Sequence, residues 1–571
     1  MKKESKISIL TNKKQRATWL ASLPLAHHDQ LEQILCETIN ELTHAVIPPH
    51  QRFIALEDIA EPLSSLLVDF KQQQYTTTFP CSDKHLSKID RFQSLLSKMS
   101  YSYIATLESL SARGYDGAES SFFTIATFRA MQLNLTQQYL SYTSYHQPEE
   151  ETWANLNKLY HLAFSKHIHQ EAVMPGPLDL VKAENIENLY KQALLLALAS
   201  PNQLSGATTM KLTTTLVYWA QYCHLYDAET PDRLHGLFAI KLNEAAPPKA
   251  AKDYDLSCGY GLYFDTSNLL IRLSQIISRP GVQLLPEKVK DLINTSPLPC
   301  MKRIYKSWGK LGKRAFKRRN THAHVQLTIG FNAIHQLLSH HQERDHTHTT
   351  PASLVTPKFE TKYVANVDGS GIYPDTLDFD QIIETDTITR KQYGAAAQIP
   401  KEISFTTHST EAKVIDESAG GYCLSIKRHT RHSISVGDLV CCHYEPGKLN
   451  LFTICVVRWM KETDKELMFG IEVISPFAEA IQLTEIIPNQ KNDLALPGLL
   501  LPQIVSLDKA ASIISSSSTN LKTDCEYFLK TMLEKQIITV EKTLDSTGSF
   551  NQFSYNAEIG LASKKQVTNI E

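Results

Sequence analysis

A multidomain α+β chain, with a helical-hairpin N-terminal half followed by a small antiparallel β-barrel, is the fold class this sequence predicts, and three observations predict it. Over residues 1–300 the apolar positions recur at intervals of three and four. After Arg319, and again over 404–473, they alternate with a period of two. At 571 residues, with 42% hydrophobic and 21% charged side chains, the chain is too long for one core, so two to four soluble domains are expected.

In the N-terminal half, EETWANLNKLYHLAFSKH puts Trp153, Leu156, Leu159, Tyr160, Ala163 and Phe164 on one helical stripe. ENIENLYKQALLLALA and SGATTMKLTTTLVYWAQY follow, parted at Ser200-Pro201-Asn202, with Ser205 a candidate N-cap. Successive amphipathic helices with short turns suggest an α-helical domain over 1–300, a right-handed stack of hairpins in the manner of tetratricopeptide repeats, although no fixed period is visible. The N-terminal MKKESKISILTNKKQ lacks the apolar core of a signal peptide, and the longest apolar run, over 193–199, is too short to span a bilayer. A cytoplasmic protein with no membrane span is the expectation. The ten cysteines form no CxxC pair, and Cys441 and Cys442 lie in an apolar strand pattern, as reduced core thiols do.

From 301 to 319 the chain carries Lys302, Arg303, Lys306, Lys310, Lys313, Arg314, Lys317, Arg318 and Arg319 and no acid, while the net charge of the whole is -2. The positive charge is local, which argues against a protein built throughout to coat nucleic acid. Three readings stand for it: a solvated helix face, a surface that binds nucleic acid by counterion release, or a grip for a compact phosphate ligand, to which the planar fork of Arg is suited. Arg314 and Arg318 stand four apart in RAFKR, so a helical turn would point both guanidinium groups the same way. A basic linker helix over 301–320 is expected to carry them.

The strand period begins with Val325, Leu327 and Ile329, alternating with His324, Gln326 and Thr328. A polar, Thr- and His-rich stretch over about 340–400 reads as a long insertion, partly disordered. Beyond it, KVI and YCLSI are parted by DESAGG, where Asp416 and Ser418 can cap backbone groups or the edge of a ligand. Gly420 and Gly421 there let the backbone approach closely or take positive φ. Further alternation and turns continue to Val473, the signature of an antiparallel sheet or small barrel. The segment 484–571 reads as a β-rich extension.

An RxxxR pair ahead of the first strand and a DxSxxG turn between strands of a small barrel resemble the two halves of the PilZ motif, whose family is known for binding the bacterial second messenger cyclic di-GMP. SVGDLVCCHYE, ICVVRWMK and ELMFGIEVIS are similar to the later PilZ strands, including Gly470 before the closing strand. The resemblance covers about 313–475 and implies a PilZ-like barrel over 321–483. The order FRAMQLNL, a Trp helix and NLYKQALLLALASPNQL is similar to the N-terminal region of large gammaproteobacterial PilZ proteins. By resemblance, Arg314 and Arg318 grip phosphates and stack on guanine, and Asp416, Ser418 and Gly421 hydrogen-bond around another guanine. Lys317, Arg319 and Gly420 support them. An Asp carboxylate suits the guanine N1 and N2 donors. Asp416 stands 98 positions after Arg318, so the insertion must loop out and return, at a closure cost that grows only logarithmically with length. A second stretch, NVDGSGIY with Asp368 and Ser370, has the first two residues of the motif without its glycine.

Other clusters carry less. His161, His167 and His169, and His340, His341, His346 and His348, lack Asp, Glu or Cys at ligand spacing and read as surface or core histidines, with no metal. No nucleophile and base can be placed together from order alone. The reading is therefore a non-enzymatic receptor for cyclic di-GMP, without a cofactor, whose ligand changes the pose of the helical domain or its binding to a protein partner. A PilZ-like scaffold that binds no nucleotide and a nucleic-acid surface over 301–319 are the alternatives, the latter with a steep salt dependence.

Overall fold

The computed structural model describes residues 6–74, 77–112, 120–178, 182–227, 235–251, 260–278, 284–310, 318–321, 323–347, 409–418, 420–428, 432–443, 452–463, 465–487, 494–504, 510–519, 521–532 and 534–557. The chain divides into two compact units, Met1–Lys313 with Lys461–Thr463, and Arg314–Met460 with Asp464–Glu571.

The first unit opens with α1 (Lys6–Thr11), α2 (Lys13–Ala21), α3 (His28–His44), α4 (Pro49–Gln74), α5 (Asp83–Ala112), α6 (Ser120–Thr143), α7 (Glu150–Ser165), α8 (Ile186–Leu198) and α9 (Gly206–Ala220). Side-chain caps start several of them: Asn12 on α2, Asn185 on α8, and Ser205, the expected N-cap, which accepts from the Thr208 amide at 3.2 Å. The stripe expected on α7 is buried from Trp153 through Ala163.

Helices two apart in the chain touch, as in neighbouring hairpins, and one helix lies at the centre of the packing. Helix α6 packs on α4, α5, α7, α8 and α9, and α3 packs on α5. The reason lies in its sequence, FFTIATFRAMQLNLTQQYL, which spreads apolar residues over every face and so is enclosed on all sides. Its polar side chains find partners on the surrounding helices. Asn134 donates to Ser100 Oγ at 2.7 Å, and Gln138 to the Ala193 carbonyl at 3.3 Å.

Within the mostly helical 1–300 lie four short strands. Strands β1 (His224–Tyr226), β2 (Leu237–Lys241), β3 (Lys249–Ala250) and β4 (Gly261–Asp265) form a four-stranded antiparallel sheet in the order β1-β4-β2-β3. These strands are only two to five residues long, and the longest, as in Leu237–Ile240, are buried continuously, so no period of two shows. Helices α10 (Ser267–Ser278), α11 (Glu287–Thr295) and α12 (Leu298–Gly309) follow. Helix α12 buries Met301, Ile304 and Trp308, whose indole N–H donates to the Leu195 carbonyl at 2.9 Å, and exposes Lys302 and Lys306. It ends at Gly309, with Lys310 extended. Of the basic helix expected over 301–320, α12 covers 301–309 and Arg319–Asn320 is a strand, while 311–317 lie outside the described residues.

The second unit holds two barrels. The first is built from β5 (Arg319–Asn320), β6 (His324–Ile329), β7 (Ser409–Ser418), β8 (Gly421–Lys427), β9 (Leu439–His443), β10 (Thr453–Glu462) and β11 (Glu466–Ser475), in the order β5-β7-β6-β9-β10-β11-β8. The β7–β8 pairing closes the ring. The second is a closed barrel of β12 (Glu479–Glu485), β13 (Leu496–Leu501), β14 (Ser512–Ser516), β15 (Cys525–Lys530), β16 (Lys535–Ser546) and β17 (Phe550–Ala557). It begins at Glu479, so the boundary expected at 483 falls inside its first strand.

Between β6 and β7 lies α13 (Phe331–Thr347), entered through Gly330 at φ +89°. Its Phe331, Ile334 and Leu338 pack on Leu439, Cys441, Ile454 and Val456 of the first barrel and on Leu499, Leu501, Ile514 and Phe550 of the second, so one core serves both. The helix occupies the first residues of the expected insertion. Residues 348–408, which include the NVDGSGIY stretch and His348, lie outside the described residues. The described cysteines are free thiols. Among the described residues no helix is long and apolar enough to cross a membrane, and no group of three or more His, Cys, Asp or Glu could hold a metal ion.

Candidate functional site

The two halves of the expected motif meet. Strand β5 pairs antiparallel with β7, setting Arg319 opposite Glu417 and Asn320 opposite Asp416. Arg318, one residue before β5, donates through Nη1 to Asp416 Oδ2 at 2.9 Å, across 98 positions of sequence. Their side chains are 32% and 16% exposed, so the pair is open to an incoming ligand without being fully solvated. Arg314 and Lys317 lie outside the described residues.

Asp416 owes its direction to an irregularity in β7. Val414 pairs with Leu424 on the core face, and both are buried. A strict period of two would turn Asp416 to that same face. The register shifts between Val414 and Asp416, so Asp416 pairs with Cys423 instead, which lies on the opposite face from Leu424. A bulge of this kind re-aims one side chain while the strand continues. The Cys423 thiol is pushed up to about 11, first by burial and then by the Asp416 charge, which keeps it protonated and inert.

The turn from β7 to β8 is held locally. Ser418 pairs with Gly421 in register and donates from Oγ to the Gly421 carbonyl at 3.2 Å, while the Gly420 carbonyl accepts from the Val473 amide at 3.0 Å. A Cβ on Gly421 would collide with the Ile471 carbonyl, so glycine is required where β8 closes on β11.

Arg318, Asp416, Ser418, Gly420 and Gly421 line a cleft of about 270 Å³, completed by Tyr422, Arg458, Trp459, Gly470, Ile471 and Glu472. Gly470 is the floor beneath Trp459, because a Cβ there would run into the indole ring. Arg458 donates from Nε to Glu472 Oε2 at 2.5 Å and from Nη2 to Asp545 Oδ2, on β16 of the second barrel, at 2.9 Å. Burial works against its charge, but the two carboxylates outweigh burial and its pKa stands above the ordinary value. The cleft can therefore offer Arg318 to phosphates, an aromatic face to a base, and carboxylates to base donors.

Arg458, Trp459 and Glu472 were not among the residues singled out from sequence. The available signal was Arg458-Trp459 inside the apolar run ICVVRWMK, a charge and a large ring where a core strand would carry neither.

Comparison with known proteins places the chain. Three family models tile it: the cyclic-di-GMP receptor FimW N-terminal domain over 14–231, its middle PilZ domain over 237–480 and its C-terminal β-barrel domain over 481–558. The chain belongs to this PilZ family. A curated relative, the cyclic-di-GMP receptor FimW of Pseudomonas aeruginosa, is 23% identical over 567 residues, covering 96% of this chain and 91% of that protein. No solved structure matches. The described cleft falls wholly within the middle-domain match, whereas Asp545 belongs to the C-terminal one.

Proposed function

We propose that this protein is a receptor for cyclic di-GMP and that the cleft around Arg318 and Asp416 is its ligand site. The observation that carries the reading is the 2.9 Å contact between Arg318 and Asp416, which unites an RxxxR stretch and a DxSxxG turn in one cleft despite the residues between them. The roles follow from chemistry. Arg318, with Arg314 from the same motif and the charge of Lys317 and Arg319, grips the phosphates and stacks on a base. Asp416 accepts from guanine N1–H and N2–H, Ser418 adds a hydroxyl, Gly421 leaves room, and Trp459 offers a stacking face. The name of the Pseudomonas aeruginosa relative agrees with this ligand.

Ligand binding in this reading also changes how the helical unit engages a protein partner. Basic residues follow one another in sequence from α12 of the first unit to Arg318 of the second, so a ligand that binds this stretch better in one arrangement biases both. Small-angle scattering with and without ligand checks the coupling, and superimposable curves count against a change of pose.

The direct test is calorimetric titration of the full chain with cyclic di-GMP beside GTP and a short DNA duplex, in wild type and in Arg318→Ala. Saturable binding of the cyclic dinucleotide alone, weakened in the variant, is expected. Binding of the duplex with a steep salt dependence and none of cyclic di-GMP would give the site to nucleic acid.

A further inference from the structure

The cleft holds a second carboxylate. Glu472 pairs in register with Gly421 on the strand beside the DxSxxG turn, lines the cleft, and is 51% exposed. Its Oε2 accepts from Arg458, whose Nη2 is held by Asp545 of the C-terminal barrel. The chain Asp545–Arg458–Glu472 thus runs from the second barrel into the wall of the cleft.

Each link has a reason to stand where it does. Alone, a carboxylate in a cleft for an anion would repel it, and Arg458, which Glu472 shares with Asp545, offsets part of that charge. Held at Nε by one acid and at Nη2 by another, Arg458 is fixed in one orientation and cannot swing toward the phosphates. Asp545 is aimed at it by irregular backbone, since the β16–β17 register shifts between Val540 and Thr543 and again between Thr543 and Asp545. The corner it sits on is anchored to the first barrel a second time, by Thr547 Oγ1 donating to the Gly437 carbonyl at 2.8 Å.

We propose that Glu472 is a second base-reading carboxylate, accepting from the N1–H and N2–H donors of a guanine, and that Arg458 and Asp545 are its positioning residues. The C-terminal barrel is then part of the nucleotide site. The proposal rests on the reading of the cleft given above. A dinucleotide carries two guanines, Asp416 serves one edge, and a carboxylate matches the paired donors of the other.

The test uses the full chain and two probes, cyclic di-GMP and its inosine analogue, which lacks the 2-amino donors. Glu472→Gln is expected to weaken cyclic di-GMP binding about tenfold and to narrow its preference over the inosine analogue, since an amide offers a donor where guanine needs an acceptor. Asp545→Asn is expected to lose affinity in the same direction but less, and to add nothing in the Glu472→Gln background, as a residue acting through another must. If Asp545 served stability alone, its variant would melt earlier with the guanine preference intact. Unchanged affinity and preference in Glu472→Gln, in a protein whose Arg318→Ala variant loses binding, overturns the proposal and leaves the receptor. A wild-type protein that binds neither probe removes both.

Discussion

Arg129 and Arg318 each meet a carboxylate, Glu57 at 3.2 Å and Asp416 at 2.9 Å, yet the two pairs live in different surroundings. Arg129, on α6, is 3% exposed; its partner also accepts from Tyr103 Oη at 2.6 Å, its Nη1 donates to Gln132, and its guanidinium fills the space where a Cβ on Gly176 would stand. Its Nε and Nη1 donors both lead to protein. Arg318 is ten times more exposed, and its neighbours on the cleft side are a turn, a tryptophan and a second arginine–carboxylate pair. The same chemistry holds a helical core together in one place and leaves a gap for a ligand in the other. Burial, not the ion pair, separates the two.

The largest expected effect breaks the buried pair. Arg129→Ala leaves Glu57 and Gln132 without their buried donor and is expected to cost about 1–3 kcal/mol of stability in the helical unit, read as an earlier unfolding transition by circular dichroism. A shift equal to that of a surface substitution would mean that the pair is not structural.

Arg318→Ala sharpens the contrast from the other side. Stability should change by no more than about 1 kcal/mol, as for partly solvated pairs, while cyclic di-GMP affinity falls at least tenfold because a charged hydrogen bond to phosphate is lost. A variant that unfolds early but binds normally would exchange the two roles.

Asp438 shows what burial does to a carboxylate held by neutral donors. It stands beside Gly437, accepts from the Ser435 amide at 2.8 Å, and its pKa is pushed up to about 6, first by burial, with hydrogen bonds from Ser435 and Ser549 opposing. The folded value lies above the unfolded 3.8, so its contribution is complete below about pH 3.8 and is lost as pH rises through about 6. Relative to Asp438→Asn, wild type should therefore lose stability between pH 4 and pH 7, by no more than about 3 kcal/mol. Parallel pH profiles of the two proteins would contradict this. The smallest effect is Ser205→Ala, expected to cost about 1 kcal/mol through the lost cap on α9, measured by denaturant unfolding.

What was legible in sequence follows the range of the forces involved. The α7 stripe, the Ser205 cap and the strand alternation of β6 depend on residues within one or two turns, and could be read directly. The DxSxxG turn and the arginines were legible as a resemblance. The bulge that turns Asp416 outward was not, because it is decided by pairing with Cys423 rather than by local propensity. The small sheet β1–β4 was hidden by strands of two to five residues with no alternation. Arg458 escaped notice for the reason that makes it informative: its partners are 14 and 87 positions away, on another strand and in another barrel.

Hydrogen exchange of the full protein with and without cyclic di-GMP tests the central claim most directly. The account predicts slowed exchange at the β7–β8 turn around Ser418 to Gly421, at Arg319–Asn320 and along 458–472, and no such slowing in Arg318→Ala. Saturable binding that protects other segments while these exchange as before would place the ligand elsewhere and contradict it.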